Sequence, residues 1–219
     1  MTPICKYGII HMFAWMTNTL VAVDLEYTES VFTIPEIVEI GAVKITSDMT
    51  VLETFQAFVR PDNLASFTDY SEQLTGIKRS DIENARTWNE VWKSFAQFTE
   101  FTNCKLVAWH AYNDNYVLRE AYRRNQIGYP HDPFIVDVAA MTYIIFSYLG
   151  VKTKFSLGEV CKRLQLVQPS HRALEDAKCV VRILNVLCNF EREFLGGTTS
   201  DLGGKYSPRS ETDELLGAD

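Results

Sequence analysis

The sequence lacks the features of a zinc-binding chain and of a membrane-spanning chain. It has no Cys-x-x-Cys pair, and no apolar run approaches the ~20 residues that a membrane helix needs. The five cysteines are scattered and odd in number: Cys5, Cys104, Cys161, Cys179 and Cys188. We therefore expect no structural zinc, no membrane association and a reducing, cytoplasmic location.

Positive charge is also scarce, with 21 Lys and Arg residues against 28 Asp and Glu residues and a net charge of -7. This balance argues against a broad basic face that holds nucleic acid, although an acidic metal site would itself contribute several of the negative charges. The 219 residues and the 47% hydrophobic content suit one domain with a full core.

Composition divides the chain into three segments. Residues 1–19 have a single Lys6 and an apolar patch broken by polar residues, which predicts a frayed leader and not a signal peptide. Residues 20–195 carry the periodic patterns of a folded domain. Residues 196–219 are rich in Gly, Ser, Thr and acids without periodicity, which predicts a disordered tail.

The most informative stretch is residues 20–26, where four apolar residues lead directly into Asp24-Leu25-Glu26. Strand side chains alternate between faces, so Asp24 and Glu26 point the same way at the end of a buried strand. Two carboxylates held so close need a cation, and Mg²⁺ prefers carboxylate oxygens. Taken alone, the stretch favours an ordinary strand that enters a polar turn.

Further strands are predicted at residues 36–45, 52–59, 105–109 and 134–137, which are short and rich in β-branched or apolar residues. Short connections make the first three strands an antiparallel meander. Apolar residues at helical spacing predict helices at 88–98, 113–125 and 138–149, and a long helix after residue 172.

Three more side chains that could bind a metal ion or transfer a proton lie at helix starts. Asp114 shares the apolar stripe of its helix, which places an acid on the side facing the protein. His171 comes just before the last long helix, and Asp176 lies within its first turns. Each has a structural alternative, because an acid at a helix start is favoured by the helix dipole and a lone histidine is usually structural.

The combined pattern resembles the DEDD exonuclease superfamily. Asp24-x-Glu26, Asp114 and the sequence His171-x-Ala-x-x-Asp176 are similar to its DEDDh branch, the DnaQ-like 3′ to 5′ exonucleases. The stretches 36–44, 74–77 and 81–85 are similar to the connecting segments of this branch. The block at 58–61 looks closest to the Eri-type subgroup, whose studied members trim structured and small RNAs.

The resemblance implies an RNase H-like α/β fold, with a mixed five-stranded sheet made of an antiparallel three-strand meander and two parallel strands, flanked by helices. It implies that four acids (Asp24, Glu26, Asp114 and Asp176) hold two Mg²⁺ or Mn²⁺ ions, and that His171 deprotonates the attacking water. The partner is then a nucleic acid with a free 3′ end, with RNA favoured over DNA, and the product is a nucleoside 5′-monophosphate.

Several alternatives remain open at this stage. The sequence is also compatible with three other functions: a DNA 3′ to 5′ exonuclease of the proofreading or repair type, a nucleic-acid-binding adaptor that kept the fold without the chemistry, and an unrelated metal-dependent phosphohydrolase.

The sequence departs from the family pattern at two positions. Asn113 stands where the resembled family often has an aromatic residue, and Tyr27 stands where a small residue is common. If His171 is not the general base, His110 is the next candidate.

Overall fold

The protein is described by a computed structural model that covers residues 19–28, 34–100, 104–128 and 135–196. The expected leader at 1–19 and the expected tail at 196–219 lie outside these ranges, apart from their boundary residues. Within the described ranges, no helix is both long enough and apolar enough to cross a membrane.

A mixed sheet forms the centre of the fold, in the order β4-β3-β2-β1-β5-β6. Its strands are β1 (Thr19–Tyr27), β2 (Ile37–Ile45), β3 (Val51–Arg60), β4 (Arg86–Thr87), β5 (Cys104–Ala108) and β6 (Val136–Asp137). The first three form the predicted antiparallel meander; β5 pairs in parallel with β1, and β6 pairs in parallel with β5.

The prediction of five strands was wrong, because the described sheet has six. The additional strand β4 pairs in parallel with the end of β3 through only two residue pairs, Val59 with Arg86 and Arg60 with Thr87. A two-residue strand is too short to produce an alternating pattern, so the sequence gives no signal for it.

Seven α-helices flank the sheet in the described ranges: α1 (Asp69–Thr75), α2 (Arg79–Glu83), α3 (Trp88–Thr99), α4 (Ala111–Arg124), α5 (Val138–Tyr148), α6 (Leu157–Arg163) and α7 (Ala173–Gly196). The long helices α3, α4, α5 and α7 were predicted. The short helices were not, although the Thr68 side chain caps α1 by accepting a hydrogen bond from Ser71 N–H, and Ser156 caps α6 in the same way.

The two faces of the sheet are buried by different helices. Leu20 and Ala22 of β1 pack with residues of α5, α6 and α7, whereas Val21 and Val23 pack with residues of α3 and α4. The same alternation directs Asp24 to the face covered by α7. The alternation of side chains along β1 therefore places Asp24 on the same face of the sheet as α7.

Candidate active site

An open cleft of about 320 Å³ lies at the acidic end of β1. The five side chains that the sequence analysis singled out all line it: Asp24, Glu26, Asp114, His171 and Asp176. They come from one strand and from the starts of two helices, so residues distant in the chain meet at one end of the sheet.

Asp114 reaches the cleft from the first turn of α4, and only 6% of its surface is exposed. Its carboxylate accepts a hydrogen bond from the backbone N–H of Leu25, which ties the start of α4 to the end of β1. The strand and helix that carry the acids are thus linked directly. The predicted inward orientation of Asp114 is confirmed.

His171 and Asp176 reach the cleft from the start of α7. His171 is exposed and has a left-handed backbone with φ of 54°, which turns the chain just before the helix. The Asp176 carboxylate accepts a hydrogen bond of 2.9 Å from the backbone N–H of Ser170. This bond closes the turn against the first part of the helix and fixes the carboxylate close to His171.

Three of the five side chains form a particularly tight group. Glu26, His171 and Asp176 each offer one possible ligand atom, and these atoms all lie within 4.8 Å of one another. Asp24 and Asp114 line the same cleft but are not part of this group. The predicted set of four carboxylate ligands, with His171 holding no metal, stays a prediction.

Burial, and after it the neighbouring acids, raise the pKa values of Asp24 and Glu26. Burial, then Asp114, Asp176 and Glu26, hold the pKa of Asp24 well above its usual range. Burial and neighbouring acids, with Asp176 first among them, raise the pKa of Glu26 from 4.5 to about 8.

Asp114 and Asp176 show the same trend. Burial raises the pKa of Asp114 to about 7 and also raises that of Asp176. Carboxylates that share a desolvated site disfavour each other's charged form, and a divalent cation relieves this cost. The oxygen-rich donor set fits Mg²⁺ or Mn²⁺.

His110, the alternative general base, also lines the cleft but makes a different contact. Its Nε2 lies 2.8 Å from the backbone oxygen of Phe155, in the segment between α5 and α6. A carbonyl oxygen can only accept, so Nε2 carries the hydrogen and donates it. His110 therefore joins the start of α4 to that segment, whereas His171 belongs to the tight group with Glu26 and Asp176.

Sequence reasoning missed part of the cleft wall and one ion pair between a buried acid and a partly exposed arginine. Ser71, Leu74 and Thr75 of α1 form one side of the cleft. The only signal for them was the family-like stretch at 74–77. The ion pair joins Glu39 of β2 to Arg172, beside His171, with Nη2 of Arg172 2.9 Å from Oε1 of Glu39. An acid amid the apolar residues of a buried strand was a signal for this pair.

The chain matches one protein family and several known proteins. The family model described as RNase_T exonuclease matches residues 21–184. A DNA polymerase III of PolC type from Thermotoga petrophila is 30% identical over 166 residues, which are 75% of this chain and 11% of that protein. The chain thus spans about a tenth of the length of the PolC-type relatives that it matches.

Two further matches are nearer to this chain in size. The probable 3′-5′ exonuclease KapD of Bacillus subtilis is 23% identical over 181 residues, which are 78% of this chain and 85% of that protein. The solved nuclease domain of 3′hExo, a DEDDh family member bound to rAMP, superposes with a TM-score of 0.70 at 18% identity and covers 80% of this chain and 93% of that one. This likeness shows that the two chains share a fold.

Proposed function

Because the chain belongs to the RNase_T exonuclease family, whose model matches residues 21–184, we propose that it is a metal-dependent 3′ to 5′ exonuclease of the DEDDh type. The observation that carries the proposal is the convergence of four acids and one histidine in a single cleft. An adaptor that had lost the chemistry would have no need to keep four mutually repelling carboxylates in a partly desolvated site.

The four acids have the role of holding metal. Asp24 and Glu26 are fixed by β1, and Asp114 and Asp176 are fixed by hydrogen bonds from backbone N–H groups. Two Mg²⁺ or Mn²⁺ ions supply, when bound, the positive charge that stabilises the attacking and leaving oxygens at a phosphodiester. The four acids line the open cleft, so ions held by them would act on a 3′ end that enters it.

His171 has the role of general base. An imidazole accepts a proton near neutral pH, and His171 is exposed at the cleft beside Glu26 and Asp176. Water attacks the last phosphorus and its proton passes to the imidazole, while the bond from phosphorus to the 3′ oxygen breaks and that oxygen takes up a proton from solvent. The products are a nucleoside 5′-monophosphate and a strand shortened by one nucleotide that ends in a 3′ hydroxyl.

We further propose RNA as the preferred substrate. The support is the resemblance of the block at 58–61 to Eri-type exoribonucleases and the shared fold with a nuclease domain that was solved with rAMP. The PolC-type relative favours DNA as the second candidate, because a polymerase of that name acts on DNA. The 2′ hydroxyl is the group by which a site distinguishes the two substrates.

A product assay tests both the proposed exonuclease reaction and the proposed preference for RNA. Single-stranded RNA and DNA of the same sequence are incubated with the protein and Mg²⁺ or Mn²⁺, and the released nucleotides are identified by mass. We expect nucleoside 5′-monophosphates from both substrates, with faster release from RNA. Equal or faster digestion of DNA would refute the RNA preference, whereas release of 3′-monophosphates or of internal fragments would refute the exonuclease mechanism.

A further inference from the structure

Glu39 is a buried acid of β2 that contacts the start of α7, and the proposed chemistry does not use it. It lies in β2 with 0% of its surface exposed, and it accepts hydrogen bonds from Arg172 Nε at 3.1 Å and Arg172 Nη2 at 2.9 Å. It also accepts from the backbone N–H of Ala173 at 3.1 Å and from the Gln56 amide at 2.7 Å. Both carboxylate oxygens are thereby satisfied.

These bonds fix the short segment that contains two residues of the candidate site. Arg172 and Ala173 directly follow His171, and Asp176 lies on the first turn of α7 with its N–H donating to the Arg172 carbonyl at 2.9 Å. Moving Arg172 or Ala173 relative to β2 would therefore displace both His171 and Asp176 from the acids of β1. The guanidinium carbon of Arg172 also lies 5.4 Å from the centre of the Phe58 ring, which further limits its position.

Gly41 makes this close docking possible. It lies two residues beyond Glu39 on the same face of β2, and a Cβ placed on it would lie 2.1 Å from Leu174 N and 2.2 Å from the Ala173 carbonyl carbon. Such distances are far below van der Waals contact. The start of α7 therefore packs directly on the backbone of β2, at the level where Glu39 accepts its hydrogen bonds.

An ion pair of this kind adds little to the free energy of unfolding. Removing the Glu39 carboxylate and part of the Arg172 side chain from water is costly, and well-packed apolar residues of similar volume are often as stable or more stable. The two-pronged geometry of an arginine bound to a carboxylate, in contrast, restricts orientation strongly. The arrangement is thus better suited to holding a segment in place than to stabilising the whole domain.

We propose that Glu39 is a positioning residue, which through Arg172 and Ala173 holds His171 and Asp176 at the distance from Glu26 that catalysis requires. This inference rests on the proposed exonuclease function. Glu39 itself does not line the cleft. Its charge adds to the raised pKa of Glu26, and it holds the segment that carries His171 and Asp176 in place.

The test uses one conservative variant and one double variant. Arg172→Lys keeps the positive charge beside Glu39 but loses the two-pronged contact. The double variant Glu39→Gln with Arg172→Met removes both charges, so that no unpaired charge is left buried. A matched control, Lys44→Met with Glu100→Gln, removes another ion pair of β2, whose atoms are 2.8 Å apart and which lies away from the cleft.

Four quantities are measured on each purified protein of 219 residues. They are the melting temperature, the amide hydrogen exchange at Ala173 and Asp176, and kcat and KM on an RNA oligonucleotide with Mg²⁺. For the two Arg172 variants we expect a nearly unchanged melting temperature, faster exchange at both amides and a kcat lowered by about 10- to 100-fold, since small misplacements of reacting groups have effects of that size. KM should change little, and the control should match the wild type in exchange and kcat.

The possible failures can be told apart. If both Arg172 variants keep wild-type kcat and wild-type exchange at Ala173, the positioning role is refuted. If the wild type digests no oligonucleotide, the exonuclease proposal fails, and the positioning role for catalysis falls with it. If the double variant does not fold, Arg172→Lys decides the question, because it retains the charge balance.

Discussion

Replacing Glu26 by glutamine should make the metal-free protein more stable at alkaline pH. Burial and the neighbouring acids raise the pKa of Glu26 from 4.5 to about 8 in the folded protein. The folded state therefore binds this proton more tightly than the unfolded state does. Stability from this group is fully present below about pH 4.5 and is lost as the pH rises to about 8.

The size of the effect follows from the shift in pKa. At ~1.36 kcal/mol per unit, the whole window corresponds to at most ~5 kcal/mol. Glu26 is partly exposed and its charge is partly screened by solvent, so a gain of roughly 2–3 kcal/mol is expected for Glu26→Gln at pH 8.5. Near pH 5, where the wild-type group is mostly protonated in the folded state, the gain should nearly vanish.

Urea unfolding in EDTA at the two pH values measures this difference, and Glu53→Gln serves as the control because Glu53 is exposed on β3. Adding Mg²⁺ should reverse the order at pH 8.5, because a ligand that binds only the folded state stabilises it and the variant lacks one of the proposed carboxylate ligands. The reasoning is refuted if Glu26→Gln gives the same difference at both pH values, or if Mg²⁺ stabilises it as much as the wild type.

Four further predictions concern turnover and domain bounds. Asp24→Asn should abolish turnover while folding survives or improves, because an amide cannot balance two divalent ions; substantial Mg²⁺-dependent release of nucleotides would contradict the assignment. His171→Ala should lower kcat by ~10² to 10⁴ fold with little change in Mg²⁺ affinity by calorimetry, as expected for loss of a general base; loss of metal binding would make it a ligand instead. His110→Ala should affect kcat far less, and an equal loss would make His110 the base. Removal of residues after Leu195 should leave activity and melting temperature nearly unchanged, because polar, aperiodic sequence buries little; a large fall in either would mean that this segment packs on the domain.

The parts of the fold that the sequence predicted are those with a local periodic pattern. The apolar run before Asp24 marks β1 as a buried strand, and the helical spacing around Asp114 marks the inward face of α4. Strand and helix periodicity also fix which way these two side chains point. The site was therefore predictable wherever an acid shares the periodicity of an element that is long enough to show one.

The remaining features depend on contacts between distant parts of the chain. Strand β4 has two residues and exists only through its pairing with β3. The Glu39–Arg172 pair joins residues separated by 133 positions, and nothing in either local pattern specifies the partner. His110 and His171 both stand near helix starts, and only the fold shows that Nε2 of His110 faces the Phe155 carbonyl.

The most direct test of the proposed exonuclease activity is the digestion ladder of a 5′-labelled RNA oligonucleotide. With Mg²⁺ or Mn²⁺ the wild type should produce a ladder that shortens one nucleotide at a time from the 3′ end, whereas EDTA or Asp24→Asn should leave the substrate intact. A ladder that persists in EDTA, or a labelled mononucleotide released at the outset, would contradict metal-dependent cleavage from the 3′ end.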